Sequence, residues 1–275
     1  MKNILVATDF SESSANACDY AVAMASEIGA GVIALNVVTI QVIDPVAPAF
    51  YLDPLLNDKR DESQSLLTSL EDRYKRVLYP DKRSFSFQIK TAIGVPEAEI
   101  RNSLIESDAD LLVVGTRHAD FWTRLGGSTV TGLAGEVPVP MIVVPEEARY
   151  DGIRSIVLAT DLKEDAEDFI REAVEFARVF DAWLHIVYID EAPSEQKEER
   201  FAILESKLPQ LAYGKVDFEL ARLKNPLKIV DLFLEKENAN LLVLRKRKRN
   251  FLSDLFHTSF TKEKIRDSKA PLLIY

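Results

Sequence analysis

Short apolar runs alternate along the chain with longer stretches in which apolar residues recur every three or four positions. Ile4–Ala7 and Gly31–Val38 are runs of the first kind, which are typical of strands that a parallel sheet buries on both faces. Ala15–Ile28 shows the helical spacing, and Gly29 follows it as a stop signal. This order of elements predicts an α/β fold with a parallel sheet.

The remainder of the first half continues the alternation. Segment 41–61 contains three prolines and mixed apolar residues, and we expect a loop there. Pro96 suits the first turn of a later helix. Further strands are expected at 85–89, 111–114 and 141–144. A second helix is indicated by apolar residues at helical spacing: Leu66, Leu67, Leu70, Tyr74, Val77 and Leu78.

The whole pattern occurs twice. The segments that align are 2–12 with 154–164, 109–114 with 239–244, and 139–144 with 270–275. The second half lacks most of the proline-containing segment of the first. A repeat of this length predicts a duplicated domain rather than a solenoid. We therefore expect one domain at 1–149 and a second at 150–275.

Each half is expected to form a doubly wound, Rossmann-like sheet of five parallel strands in the order 3-2-1-4-5. The strand order reverses between the first and fourth strands. Open α/β sheets bind ligands outside the carboxyl ends of their strands at such a switch point. The residues that follow these two strands are Thr8–Ser11 and Gly115–His118. We expect the ligand site of the first half there.

A glycine pair, Gly126–Gly127, lies shortly after the fourth strand and precedes Ser128 and Thr129. A helix that begins there would point free N–H groups and the positive end of its dipole at an anion, and both hydroxyls are further donors. The alternative is a glycine turn in which Ser128 is an ordinary N-cap. The position at the switch point favours the anion site.

Several stretches resemble the universal stress protein family. They are Val6-Ala7-Thr8-Asp9-Phe10-Ser11, Leu35-Asn36-Val37, Gly94-Val95-Pro96, and Gly115-x2-His118-x8-Gly127-Ser128 followed by 138–144. The resemblance covers nearly the whole chain, once per half, and so indicates a tandem member. It implies an adenine-nucleotide α-hydrolase-like fold, a regulatory role in the stress response, and an adenine nucleotide at the switch point.

The resemblance implies ATP as the ligand, with Mg²⁺ as a possible companion. Asp9, next to Thr8, would contact the ribose and adenine side, and Val37 would offer backbone groups to adenine. The phosphates would be held by Gly115, Gly127, Ser128 and Thr129.

The chain departs from the ATP-binding pattern of the family, which is G-x2-G-x9-G-[ST]. His118 replaces the second glycine, and the following spacer has eight residues instead of nine. Its side chain could crowd the phosphates, or it could donate to them together with Arg117. The second half departs further, because Arg245 and His257 stand at two of the glycine positions. We expect the second half to be a degenerate, structural partner.

The net charge of −10 argues against general binding of nucleic acid or of anionic membranes. The basic run 245–249 is either a solvated loop or a side-chain anion site. With one cysteine, no signal peptide and no apolar run near the roughly 18 residues of a membrane span, we expect a soluble, cytoplasmic protein. The three histidines are far apart in sequence, so no metal site is expected. Cys18 falls on the apolar face of the first helix and is expected in the core.

The leading hypothesis is a non-enzymatic regulatory protein, since no catalytic triad motif or Walker-type lysine is present. The alternatives are an interaction module that needs no nucleotide and a slow ATP hydrolase. The resemblance also implies that the halves pack as an intramolecular pseudo-dimer through their last strands; a homo-oligomer and an unidentified protein partner are further expectations.

Overall fold

The computed structural model describes residues 1–39, 49–78, 86–116, 132–134, 136–160, 166–189, 195–221, 226–245 and 270–275. These residues form two compact units, and the chain passes from the first to the second after Glu146. Each unit is described separately below.

The first unit contains five parallel strands in the order β3-β2-β1-β4-β5. Its elements are β1 (Asn3–Ala7), α1 (Glu12–Ile28), β2 (Gly31–Val38), α2 (Ala49–Arg73), a π-helical turn (Tyr74–Leu78), β3 (Phe87–Ile93), α3 (Pro96–Glu106), β4 (Leu111–Thr116) and β5 (Met141–Pro145). In the central strand, Ile4 lies opposite Val32 on one side and Leu111 on the other. The predicted strand order is confirmed, and with it the switch point between β1 and β4.

Helix α1 has clear start and stop signals. The Ser11 side chain accepts a hydrogen bond from the backbone N–H of Ser14 and so caps the first turn. Gly29 ends the helix in the left-handed region at φ 70°, which glycine adopts without strain. The inner face carries Cys18 and Met24, both completely buried. Cys18 is therefore a core residue, as predicted, and burial raises the pKa of its thiol to about 12.

The loop predicted at 41–61 is wrong for residues 49–61, which belong to α2. Pro54 lies inside this helix, where it removes one backbone hydrogen bond, but the helix continues through it. Lys59, Arg60 and Glu62, which follow, are good helix formers and lie on the surface. Further along, Ser63 and Leu67 are buried, whereas Leu66 is 43% exposed, so one leucine of the helical pattern faces solvent. Residues 40–48 lie outside the described part of the chain.

The second unit repeats the arrangement with the order β8-β7-β6-β9-β10, and its strands are parallel. Its elements are β6 (Ser155–Thr160), α4 (Ala166–Val179), β7 (Trp183–Ile189), α5 (Glu195–Lys207), a 3₁₀ turn (Leu208–Leu211), β8 (Val216–Ala221), α6 (Pro226–Lys236), β9 (Leu241–Leu244) and β10 (Leu272–Ile274). Pro96 begins a helix, as predicted, and Pro226 begins the corresponding helix of the second unit.

The duplication also extends to single hydrogen bonds. Ahead of β4, the Asp110 carboxylate accepts the backbone N–H groups of Lys2 and Asn3. Ahead of β9, the side-chain amide oxygen of Asn240 accepts hydrogen bonds from the backbone N–H groups of Arg154 and Ser155, at 3.1 and 3.2 Å. Each unit thus fixes the start of its central strand in the same way, once with a carboxylate and once with an amide.

Candidate functional site

A tight turn leads from the end of β1 into α1. The Thr8 N–H donates to the Leu35 carbonyl at 2.8 Å, and the Thr8 hydroxyl accepts the Phe10 N–H at 3.0 Å. Phe10 has φ 63°, which costs a residue with a side chain about 1–2 kcal/mol. Ser11 donates to Asp9 Oδ1 from its N–H at 3.0 Å and from its hydroxyl at 2.5 Å. These bonds hold a strained turn at the switch point of the sheet.

Asp9 is exposed at this turn and is ionised at neutral pH. Desolvation opposes the charge, but the hydrogen bonds from Ser11 outweigh it, so that the pKa of the Asp9 carboxyl is lowered from 3.8. The bonds from Ser11 engage only Oδ1. The carboxylate can therefore accept further hydrogen bonds through Oδ2, for example from a hydroxyl group of a ligand.

The first turn of α1 directs backbone N–H groups toward this end of the sheet. Two serines of this turn, Ser13 and Ser14, lie beside the Thr8–Ser11 turn. Ser14 is buried; its hydroxyl lies 3.0 Å from the Thr8 hydroxyl and donates to the Ser11 carbonyl. Ser13 is also buried, with its hydroxyl 3.1 Å from that of Ser11. Helix N-termini of this kind attract anions, because N–H groups and the helix dipole point the same way.

Gly115, near the end of β4, touches the start of α1. A Cβ atom at this position would lie 2.2 Å from the carbonyl oxygen of Ser13 and 2.9 Å from the backbone nitrogen of Ser14. Glycine is therefore required for the helix to begin this close to the strand. The sequence-based prediction assigned Gly115 to phosphate approach, and the contact with α1 is a second reason for the same residue.

The second unit has a different arrangement at the corresponding position. Arg245 follows β9, and its guanidinium lies 5.5 Å from the centre of the Phe169 ring and 4.0 Å from the Glu172 carboxylate. The Phe169 ring also meets the ring of Tyr275 edge-on, at 5.7 Å between centroids. Large side chains thus stand where the first unit has Gly115 and the short Ala17.

A cavity of about 260 Å³ opens at the switch point of the first unit. Four of the predicted site residues line it, namely Thr8, Asp9, Val37 and Gly115. Its other described lining residues are Ala7, Ser11, Ser13, Ser14, Leu35, Thr39, Pro96, Ile100 and Val114. The walls therefore combine hydroxyl groups and a carboxylate with an apolar side formed by β2 and α3.

The remaining predicted site residues, Arg117, His118, Gly127, Ser128 and Thr129, lie outside the described residues. Sequence reasoning missed Ser13, Thr39, Pro96 and Ile100 as lining residues. A signal was present for Pro96, since a helix that begins just after β3 starts at the same end of the sheet as the turn after β1. For Ile100 the sequence offers only helical spacing.

Within the described ranges, His, Cys, Asp and Glu side chains form no group of three or more that could hold a metal ion. A search of the same residues for a helix with the length and apolar character of a membrane span found none.

The fold and the cavity define an α/β protein of the doubly wound class, with its pocket at the carboxyl ends of the strands. The family model of the universal stress protein family matches residues 1–145 and again residues 152–275. The chain therefore belongs to the universal stress protein family, as a tandem member with one copy in each half.

Solved structures agree with this fold. A universal stress protein from Archaeoglobus fulgidus is 16% identical with a TM-score of 0.74, and the match covers 99% of this chain and 97% of that one. A functionally unknown protein from Pseudomonas aeruginosa is 12% identical with a TM-score of 0.55, covering 100% of this chain and 92% of that one. A search of curated proteins returned no significant match.

Proposed function

We propose that this stress protein binds one adenine nucleotide, ATP, in the cavity of its first unit. The observation that carries the proposal is the convergence of an ionised carboxylate, a helix N-terminus and a glycine-dependent close contact around a single cavity at the switch point. A regulatory protein would use the bound nucleotide as its signal.

The base and ribose suit the inner part of the cavity. Leu35, Val37, Pro96 and Ile100 form its apolar side, which can pack against a purine. The Asp9 carboxylate is at the mouth, where it can accept hydrogen bonds from the ribose hydroxyls. The cavity volume of about 260 Å³ is just below the roughly 300 Å³ at which small-molecule pockets begin. It therefore suits a nucleoside, with the phosphates extending outward.

The phosphates would extend past Gly115 and the start of α1, toward the positive end of the helix dipole. The family resemblance adds Gly127, Ser128 and Thr129 as phosphate ligands, and Arg117 and His118 as possible donors. Mg²⁺ would accompany the phosphates and offset part of their charge.

The second unit is proposed to bind no nucleotide. Arg245 stands at the position of Gly115 and lies over the ring of Phe169, which stands at that of Ala17. A ligand that approached the strand end there, as proposed at Gly115, would have to displace the Arg245 side chain. The proposal therefore specifies one nucleotide per chain.

Titration calorimetry and native mass spectrometry of the full chain test this proposal. We expect ATP to bind with a stoichiometry of one, and Asp9→Ala to weaken ATP binding about tenfold, which corresponds to about 1.4 kcal/mol. GTP serves as the control for recognition of the base. If millimolar ATP gives no heat and leaves the melting temperature unchanged, the nucleotide function is refuted, and an interaction module independent of nucleotide becomes the better hypothesis.

A further inference from the structure

We propose that Asn36 and Ser63 are positioning residues for the nucleotide site, which hold the turn after β1 in the conformation that binds the ligand. The inference rests on the proposed function, because it assigns a role to two residues that lie behind the cavity and do not line it.

A chain of hydrogen bonds connects helix α2 with the turn. The Asn36 side-chain amide donates to the Thr8 carbonyl at 2.7 Å, and the Ser63 hydroxyl donates to Asn36 Oδ1 at 2.8 Å. The Thr91 hydroxyl lies 3.1 Å from that of Ser63 and completes the group. Asn36 and Ser63 are 8% and 3% exposed, so water does not replace these bonds. The backbone of Thr8 is therefore fixed by a side chain that is itself fixed by α2.

The turn needs such a restraint. Phe10 is held at φ 63°, and the residues on either side of it, Asp9 and Ser11, line the cavity. Strained backbone persists only where its surroundings over-determine it. A Thr8 carbonyl that is free to rotate would let the Thr8–Ser11 turn relax, and Asp9 would move away from its ligand position.

The second unit shows that the fold itself does not require this polar group. Tyr188 pairs with Thr160 and with Leu220 in the sheet of that unit, which places it at the position of Asn36, and Leu220 at that of Thr91. Tyr188 is 1% exposed and packs in an apolar cluster with Phe201, Leu204, Phe218 and Leu220. Exchanging both partners of a buried hydrogen bond for groups that pack well can be nearly neutral for stability. The copy proposed to bind nucleotide keeps the Asn36–Ser63 pair, and the other copy has a mainly aromatic cluster there.

The decisive variant is Ser63→Ala, which removes the hydroxyl that orients Asn36. Ser65→Ala is the matched control, because it makes the same chemical change two residues away on the exposed face of the same helix. Ser63→Thr keeps a hydroxyl and serves as the rescue. Asn36→Leu replaces the amide with an apolar side chain of similar size and provides an independent test if the first variant folds poorly.

Two measurements on the full chain are compared well below the melting temperature: the Kd for ATP, and hydrogen exchange at residues 9–14. For Ser63→Ala we expect a Kd raised about three- to tenfold and faster exchange of the Phe10 and Ser11 amides, with exchange in β4 unchanged. Ser63→Thr should regain most of the affinity, and Ser65→Ala should match the parent chain. A residue with only a structural role would change exchange throughout the unit and would not produce this selective loss.

The inference is overturned if Ser63→Ala and Asn36→Leu bind ATP as tightly as Ser65→Ala. If the parent chain binds no ATP, the proposed function fails by itself, and exchange at residues 9–14 decides the positioning role. Equal exchange in Ser63→Ala and Ser65→Ala would then overturn that role as well.

Discussion

The close contact between Gly115 and helix α1 gives the sharpest prediction. Replacing Gly115 with alanine places a methyl group 2.2 Å from the carbonyl oxygen of Ser13, 2.5 Å from the carbonyl carbon of Ser13 and 2.9 Å from the backbone nitrogen of Ser14. All three are backbone atoms, so no side-chain rotation can relieve the clash. The start of α1 or the end of β4 has to move.

The size of the effect follows from these distances. Non-bonded carbon contacts are favourable at about 3.5–4.0 Å, so the two segments must separate by more than about 1 Å. Overpacking of this kind typically costs about 1–3 kcal/mol, and three backbone contacts below 3.0 Å place Gly115→Ala at the upper end. We therefore expect a loss of about 3 kcal/mol, or roughly a hundredfold in the equilibrium between folded and unfolded first unit.

Urea unfolding and hydrogen exchange of α1 measure this loss. Gly214→Ala is the control, because a Cβ there meets no atom within 4 Å. Exchange is needed beside the urea curve, since a chain of two units need not unfold in one step. The α1 amides should exchange about a hundredfold faster in Gly115→Ala, and ATP binding should weaken. If α1 protection and the urea midpoint of this variant equal those of Gly214→Ala, the argument from close contact is wrong.

Three further predictions concern single side chains. Desolvation raises the pKa of the Asp110 carboxyl, but hydrogen bonds from the Lys2 and Asn3 N–H groups outweigh it and lower that pKa from 3.8. The ionised carboxylate therefore stabilises the folded first unit fully above about pH 4, and this stabilisation is lost as the pH falls through the lowered pKa. Asp110→Asn should therefore make the urea midpoint of the first unit less sensitive to acid between pH 5 and pH 2, and an unchanged sensitivity would contradict this. Tyr74→Phe should cost about 1.5 kcal/mol in urea unfolding, because the buried phenol donates to the Asp19 carboxylate at 2.7 Å; a value near zero would show that the bond adds nothing. Arg245→Ala should leave the ATP stoichiometry at one, since a Cβ remains where the first unit requires Gly115, and His257 stands at the position of Gly127; a second bound ATP in calorimetry would refute that.

The elements that the sequence predicted well are those with local signals. Gly31–Val38 forms β2 with the predicted bounds, because a strand buried on both faces reads as a nearly continuous apolar run, here interrupted by Asn36. Helix α1 ends at Gly29 for an equally local reason. The loop expected at 41–61 is wrong for residues 49–61, because a proline does not end a helix at every position. Pro54 costs α2 a hydrogen bond, and the packing of Leu67 and Tyr74 farther along holds the helix.

The candidate site was predictable as far as topology determines it. Thr8, Asp9, Val37 and Gly115 come together because each lies at the carboxyl end of a parallel strand. Ile100 could not be found this way, because its contact with the cavity depends on how α3 packs on the sheet. Asn36 and Ser63 were also beyond sequence reasoning, since their bond joins elements that are far apart in the chain.

The exchange of a polar group for an aromatic cluster at Tyr188 has a calorimetric consequence. A unit whose core is complete without ligand gains nothing from nucleotide, whereas a binding unit gains about 2.7 kcal/mol at a ligand concentration one hundred times the Kd. Heating the full chain should then produce two transitions with separate enthalpies, and ATP should move one of them upward while the other keeps its temperature. The same duplication would thus have produced a sensor and an internal thermal reference within a single polypeptide.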